Sequence, residues 1–161
     1  YIFQKIKEKV PSKLLLIGDG PERDYLEGLC RTLNICDDVR FLGKQDAIEE
    51  LLSIADLFLI PSASESFGLA ALEAMACEVP VISSNIGGLP EVNIHGVTGY
   101  LSEVGDIKSM SDHAIDLLTN EDKLKLFKEN ALNQAKQFDI SNILPKYESY
   151  YEAVIAGQSG H

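Results

Sequence analysis

The 161-residue chain has no tryptophan and only three cysteines. Cys30, Cys36 and Cys77 are odd in number and show no CxxC spacing. Neither a disulfide framework nor a zinc ribbon is expected, and all three read as buried thiols. Apolar runs such as Leu14–Ile17 and Leu57–Ile60 are four residues long, far short of the ~20 that span a bilayer. No signal peptide is visible at the start. Positive charge is scarce: 14 Lys and Arg face 25 Asp and Glu, a net charge of −11. Nucleic-acid binding needs a basic footprint and is disfavoured, as is attachment to an anionic membrane face. The basic residues are also confined, with none from Gln45 to Ile107, a stretch holding ten carboxylates. An initiator Met is missing too. The chain opens on Tyr1, with Ile2, Phe3, Ile6 and Val10 set among lysines. That reads as the tail of an amphipathic helix, so a piece of a longer protein is expected.

What is present is ordinary globular chemistry, 45% hydrophobic and 24% charged, at the length of one domain. Residues 1–156 are expected to form that domain and 157–161 a frayed tail. Apolar bursts alternate with helical patterns. Strands are expected over Lys13–Ile17, Val39–Leu42, Leu57–Ile60 and Val79–Ser83, with a small edge strand at Gly99–Leu101. Helices are expected from Pro21, around Ala47–Ala55, over Gly68–Cys77, and through most of the chain after Asp106. Continuously apolar strands are covered on both faces, and strands separated by helices imply right-handed crossovers. The expected fold is therefore α/β, a doubly wound, Rossmann-like parallel sheet. Ligands of such sheets sit at the carboxyl ends of the strands. Gly18, Gly43, Pro61–Gly68 and Ser84–Gly88 would share that edge.

The informative segment runs from Ser62 to Ala76. Between Gly68 and Cys77 every residue except Glu73 is apolar or glycine, which predicts a helix buried on nearly all sides. A lone carboxylate there needs a partner, because burying an unpaired charge costs several kcal/mol. The partner is either an ion pair or cap within the fold, or the hydroxyls of a ligand. Ser66 is the expected N-cap, and Gly68 lets a group approach the open N–H donors of the first turn. Gly68 to Glu73 spans about 7.5 Å, roughly the step from a pyrophosphate to a ribose. Glu65 would face the other end of the same ligand, where a sugar would sit.

Two glutamates separated by seven intervening residues, Phe67-Gly68 after the first and Leu72-Glu73-Ala74-Met75-Ala76 around the second, resemble the retaining family-four glycosyltransferases of GT-B fold. Leu16-Ile17-Gly18-Asp19-Gly20-Pro21, Phe41-Leu42-Gly43, Pro80-Val81-Ile82, Gly87-Gly88-Leu89-Pro90-Glu91 and Gly96-Val97-Thr98-Gly99 follow in the family's order. The resemblance implies the carboxy-terminal, donor-binding half of such an enzyme, with the first strand of its sheet missing. It implies that Glu73 hydrogen-bonds the donor ribose, and that Glu65 is the catalytic group beside the transferred sugar. The backbone of Phe67, Gly68 and Leu69 would meet sugar and phosphate, and backbone at Gly43, Lys44 and Gln45 would read the uracil. No metal or cofactor is implied beyond the uridine diphosphate sugar itself. The run Asn85 to Val92, with Gly99-Tyr100-Leu101 and Glu103 to Asp106, is similar to the malate-accepting N-acetylglucosaminyl synthases of bacillithiol synthesis. N-acetylglucosamine as transferred sugar, L-malate as acceptor and a cytoplasmic location follow from that likeness. Where the family has Gly, this chain has Glu78; a left-handed conformation there would add roughly 1 kcal/mol of strain.

The resemblance also says what is elsewhere. Family members supply an Arg and a Lys for the diphosphate just upstream of Tyr1, and an amino-terminal domain carries the acceptor site. The isolated chain is thus expected to bind donor weakly and to transfer nothing, and its incomplete sheet to be distorted or completed in a strand-exchanged dimer. Other motifs carry less. Gly18-Asp19-Gly20 lacks the third glycine of a dinucleotide loop, since position 23 is Arg. Asp37-Asp38 reads as turn chemistry rather than a metal pair, and His95 as a surface loop residue or a group behind the site. His113 and His161 have no helpful neighbours, and no Gly-x-Ser-x-Gly elbow appears. A nucleotide-sugar epimerase of the same fold and a non-catalytic nucleotide-binding module remain as alternatives.

Overall fold

Five short strands alternate with helices, as the apolar bursts predict. In the computed structural model, which describes residues 1–155 and 157, the strands are β1 (Leu14–Ile17), β2 (Val39–Gly43), β3 (Phe58–Ile60), β4 (Val81–Ser84) and β5 (Gly99–Ser102). Apart from Gly157, the expected frayed tail lies outside the described residues. The helices are α1 (Ile2–Lys7), α2 (Arg23–Thr32), α3 (Ile48–Leu52), α4 (Leu69–Ala76), α5 (Leu89–Val92), α6 (Ile107–Leu118), α7 (Glu121–Ala135) and α8 (Ile140–Ile155). α2 begins two residues later than expected. Pro21 and Glu22 belong to a turn whose Arg23 N–H donates to the Gly20 carbonyl at 3.2 Å. Asp106 and Asn120 cap α6 and α7, their side-chain oxygens accepting the N–H groups of Ser109 and Lys123.

All strand pairs are parallel, but they do not form one sheet. β1 pairs with β2, Leu14 opposite Val39. β3, β4 and β5 form a second sheet in that order, Phe58 opposite Val81 and Val81 opposite Gly99. The expected continuous sheet is thus split, with β1 and β3 in different sheets and each paired on one side only among the described residues. Burial follows the split. Leu14 to Ile17 are only half-buried, whereas Val81 to Ser84, flanked on both sides, are fully buried.

α1 ties the two sheets. Its Phe3 packs in a cluster with Leu14, Leu16, Cys30 and Val39, while Ile6 packs with Leu57, Leu59, Ile82 and Tyr100. Asp38 reinforces the tie by pairing with Lys7 of α1 and, at 2.5 Å, with Lys13 ahead of β1. Those two ammonium groups hold the Asp38 carboxyl down at about 2. α3, α4, α5 and α7 cover the other face of the second sheet, around Met75, Val81 and Leu89.

The cysteines depart from expectation. Cys30, at the end of α2, and Cys36, in a 3-10 turn, are joined as a disulfide with their Cα atoms 5.1 Å apart. Asn34, at φ 55°, reverses the chain between them, and the Ile35 N–H returns to the Cys30 carbonyl at 3.0 Å. A left-handed residue inside a six-residue separation brought together two positions that sequence spacing does not show to be near. Cys77 is free and half-buried; burial raises its thiol pKa, with Glu49 and Glu73 adding to the effect.

Candidate functional site

The loops after β1, β2, β3 and β4 leave the same ends of the parallel strands. The first two meet directly, the Gly18 N–H donating to the Gly43 carbonyl at 2.8 Å. Gly43, at φ 67°, turns the chain into the exposed pair Lys44 and Gln45. Gln45 Nε2 folds back onto the Leu42 carbonyl at 2.6 Å. Lys44 has no ion-pair partner among the described residues. One cation near this loop escaped the sequence reading. Arg23 lies with its guanidinium 5.9 Å from the Phe41 ring and its Nη1 beside Gly43, its Nε donating to Glu27 at 3.1 Å. Its place follows from the turn before α2, which spacing alone did not place against β2.

After β3 the chain runs through Glu65 to α4. Gly68, not Ser66, occupies the cap position, in the left-handed region at φ 91°, and no side chain caps the helix. The Ser66 N–H instead donates to its neighbour's carboxylate, Glu65 Oε1, at 3.0 Å. The expected cap therefore fails, and the first-turn N–H groups of α4 carry no side-chain partner. Glu65 is half-buried. Phe67, 40% exposed, meets Phe138 edge-on with ring centroids 6.2 Å apart. Phe138 is a second residue the sequence did not single out, because it follows α7 and comes near only in the fold.

α4 is not buried on nearly all sides. Ala71, Ala74 and Met75 face the core, but Leu69 is 65% exposed, and Ala70, Glu73 and Ala76 share its open face. The apolar composition that suggested full burial reflects an uncovered face instead. Glu73 has no ion pair or side-chain hydrogen bond among the described residues, so the reading of an internal partner fails and its carboxylate is free. With Leu72, Ala76, Lys136 and Phe138 it lines a depression of about 300 Å³ between α4 and the end of α7. Glu65, Phe67, Gly68, Leu69 and Glu73 thus belong to one continuous segment, loop and open helix face. Gly43, Lys44 and Gln45 form a separate loop at the strand ends, beside Gly18.

His95 lies away from this segment. It is exposed, its Nδ1 accepts the Leu101 N–H at 3.1 Å, and its ring meets Tyr100 and His113. His113 does have neighbours, contrary to expectation. Its ring stacks on Tyr100 at 4.2 Å and its Nδ1 is 3.3 Å from Ser102 Oγ. His161 lies outside the described residues. Asp37 and Asp38 occupy a 3-10 turn, as turn chemistry predicts. No helix of the described residues is long and apolar enough to cross a membrane.

Comparison with known proteins bears on the family and the fold. The chain is 49% identical over 154 residues to an N-acetyl-alpha-D-glucosaminyl L-malate synthase from Bacillus anthracis, covering 95% of this chain and 40% of that relative. It superposes on the Anabaena protein HepE, solved in complex with UDP, with a TM-score of 0.85 and 28% identity. That match covers 94% of this chain and 44% of HepE. A sucrose-phosphate synthase from Thermosynechococcus elongatus gives a TM-score of 0.84 at 29% identity, covering 97% of this chain and 42% of the other. The chain therefore spans less than half the length of each of these proteins. Residues 2–134 match the family described as glycosyl transferases group 1, and the chain belongs to that family.

Proposed function

We propose that this chain is the donor-binding half of a retaining glycosyltransferase that moves N-acetylglucosamine from a uridine diphosphate sugar to a small acceptor such as L-malate. The observation that carries the reading is the unpartnered Glu73 carboxylate on the open face of α4. An apolar helix that leaves one ionised group toward an uncovered cleft offers two acceptor oxygens for the ribose hydroxyls of the donor. The first-turn N–H groups at Gly68 and Leu69 suit the diphosphate. The Gly43–Gln45 loop suits the base, through its backbone.

Glu65, held by the Ser66 N–H, is the group we assign to the transferred sugar. A carboxylate there stabilises positive charge that develops on the anomeric carbon as the diphosphate leaves. The departing diphosphate takes its compensation from helix N–H dipoles and from cations, and we propose that no metal ion is needed. The amino-terminal domain of the same polypeptide is the proposed partner. It would carry the acceptor pocket, further cations and a strand to fill the seam between β1 and β3. Without it, strand exchange between two copies would fill the same seam. A cytoplasmic location goes with this reading.

Glu73→Ala and Glu65→Gln in the full-length protein test the assignment. Loss of hydrogen bonds to a charged group predicts roughly 10- to 100-fold weaker UDP binding for Glu73→Ala. Glu65→Gln should lose turnover instead. Unchanged transfer of N-acetylglucosamine to L-malate by both variants would discard the site. An epimerised nucleotide sugar with no acceptor consumed would discard the reaction. Sub-micromolar UDP binding by the isolated chain would contradict the need for a second domain.

A further inference from the structure

The turn after β4 is pressed against the Glu65 loop residue by residue. A Cβ on Gly87, which sits at φ 57°, would overlap the Glu65 carbonyl oxygen. A Cβ on Gly88 would lie 2.7 Å from both the Cα and the carbonyl oxygen of Phe67, and 2.9 Å from the Ser66 oxygen. The Gly88 N–H donates to that same Ser66 carbonyl at 3.1 Å. Leu89 is next, fully buried, and its Cδ2 stands 3.0 Å from where a Cβ of Gly68 would be. Three consecutive residues thus back the loop from Glu65 to Gly68 along its length.

The backing turn cannot easily retreat. α5 is followed by its C-cap Asn93, whose buried Nδ2 lies 3.0 Å from the Val81 carbonyl and from Ser83 Oγ, and 3.2 Å from the Tyr100 carbonyl. Its Oδ1 accepts the Thr98 hydroxyl at 3.0 Å, and its N–H donates to the Leu89 carbonyl at 2.8 Å. Asn93 therefore fastens α5 to both β4 and β5, and a fully hydrogen-bonded buried amide of this kind rigidifies its surroundings. The Glu65 loop also meets Phe138 through the half-exposed Phe67 ring.

We propose that Gly87, Gly88 and Leu89 are positioning residues for the transfer step, setting the place of the Glu65 carboxylate through contact with its loop while leaving the ribose and base subsites alone. The inference rests on the assignment of Glu65 to the transferred sugar. Because a 1 Å misplacement of a reacting group lowers rates about 100-fold, small displacements of this loop should be read out in turnover.

Gly88→Ala in the full-length protein is the test, assayed for kcat with uridine diphosphate N-acetylglucosamine and L-malate and for the Kd of uridine. The expected result is a kcat about 100-fold lower with the Kd of uridine, which lacks the diphosphate held by this loop, within about threefold, since neither Glu73 nor the Gly43–Gln45 loop is among the groups nearest Gly88. Leu89→Val, which withdraws Cδ2 without adding an atom to the turn, should lower kcat in the same selective way. It takes the place of Gly88→Ala should that variant fail to fold. A folded variant with unchanged kcat, or one losing kcat and uridine affinity in proportion, overturns the inference. Glu65→Gln separates the two claims. If it is inactive while Gly88→Ala turns over normally, the positioning role falls and the site stands; if it is fully active, both fall.

Discussion

Glu78 occupies a backbone position that suits glycine, and replacing it tests how α4 ends. The helix closes with the Val79 N–H on the Ala74 carbonyl at 3.0 Å and the Glu78 N–H on the Met75 carbonyl at 3.1 Å. That is the paired closure in which the residue after the C-cap is left-handed, and Glu78 sits at φ 61°. A side chain there costs about 1–2 kcal/mol. Glycine would relieve that strain but give back about 0.4–1 kcal/mol through the freer unfolded chain. Glu78→Gly should therefore stabilise by about 0.5–1 kcal/mol, or roughly 2 °C in Tm for a chain of this size. Glu78→Ala is the control, because it removes the same exposed carboxylate and keeps the strain. Urea unfolding of the three proteins, followed by far-UV circular dichroism, reads the difference. A glycine variant no more stable than the alanine variant would refute the strain argument.

Further outcomes follow from the same structure. Burial, with His95 alongside, lowers the pKa of His113 below its ordinary 6.5 against the opposing pull of Asp116, Asp112 and Asp106. The unfolded chain then binds the proton more readily, so stability is complete above about pH 6.5 and declines as pH falls below it. Replacing His113 by Gln should flatten that decline in thermal scans, and an unchanged profile would show that another group is responsible. EDTA should leave transferase turnover of the full-length protein unchanged, whereas restoration of lost activity by added divalent cation would contradict the metal-free reading. The Cys30–Cys36 bond closes a short loop, for which chain entropy predicts about 2 kcal/mol. Cys30→Ser with Cys36→Ser should lose about that much in urea unfolding without reductant, and nothing relative to the parent once reductant is added.

The order of strands and helices could be read along the chain because most strands centre on a short apolar run and the long helices repeat apolar residues at helical spacing. α6 runs from Ile107 to Leu118 as its pattern predicts, closed at its start by a capping Asp106. The spacing of Glu65 and Glu73 placed both in one segment for the same reason: it depends only on local geometry. Non-local placement was hidden. Nothing at Gly87 or Gly88 says that the Glu65 and Phe67 backbones lie within a methyl group's reach, since that contact joins the ends of two different strands. Arg23 beside Gly43, Phe138 beside Phe67 and the bond between Cys30 and Cys36 are of the same kind. α4 misled in the opposite direction. Its alanines and leucines announce burial, but composition does not distinguish a face packed in the core from one left for a ligand or another domain.

The division into a two-stranded and a three-stranded sheet should make the two parts open with unequal ease. Amides of β4, paired on both sides, should be the slowest to exchange with deuterium, and those on the bare edges of β1 and β3 among the fastest. Phe3 and Ile6 sit in different apolar clusters on one short helix, so that helix is the stitch through which melting of one unit is felt by the other.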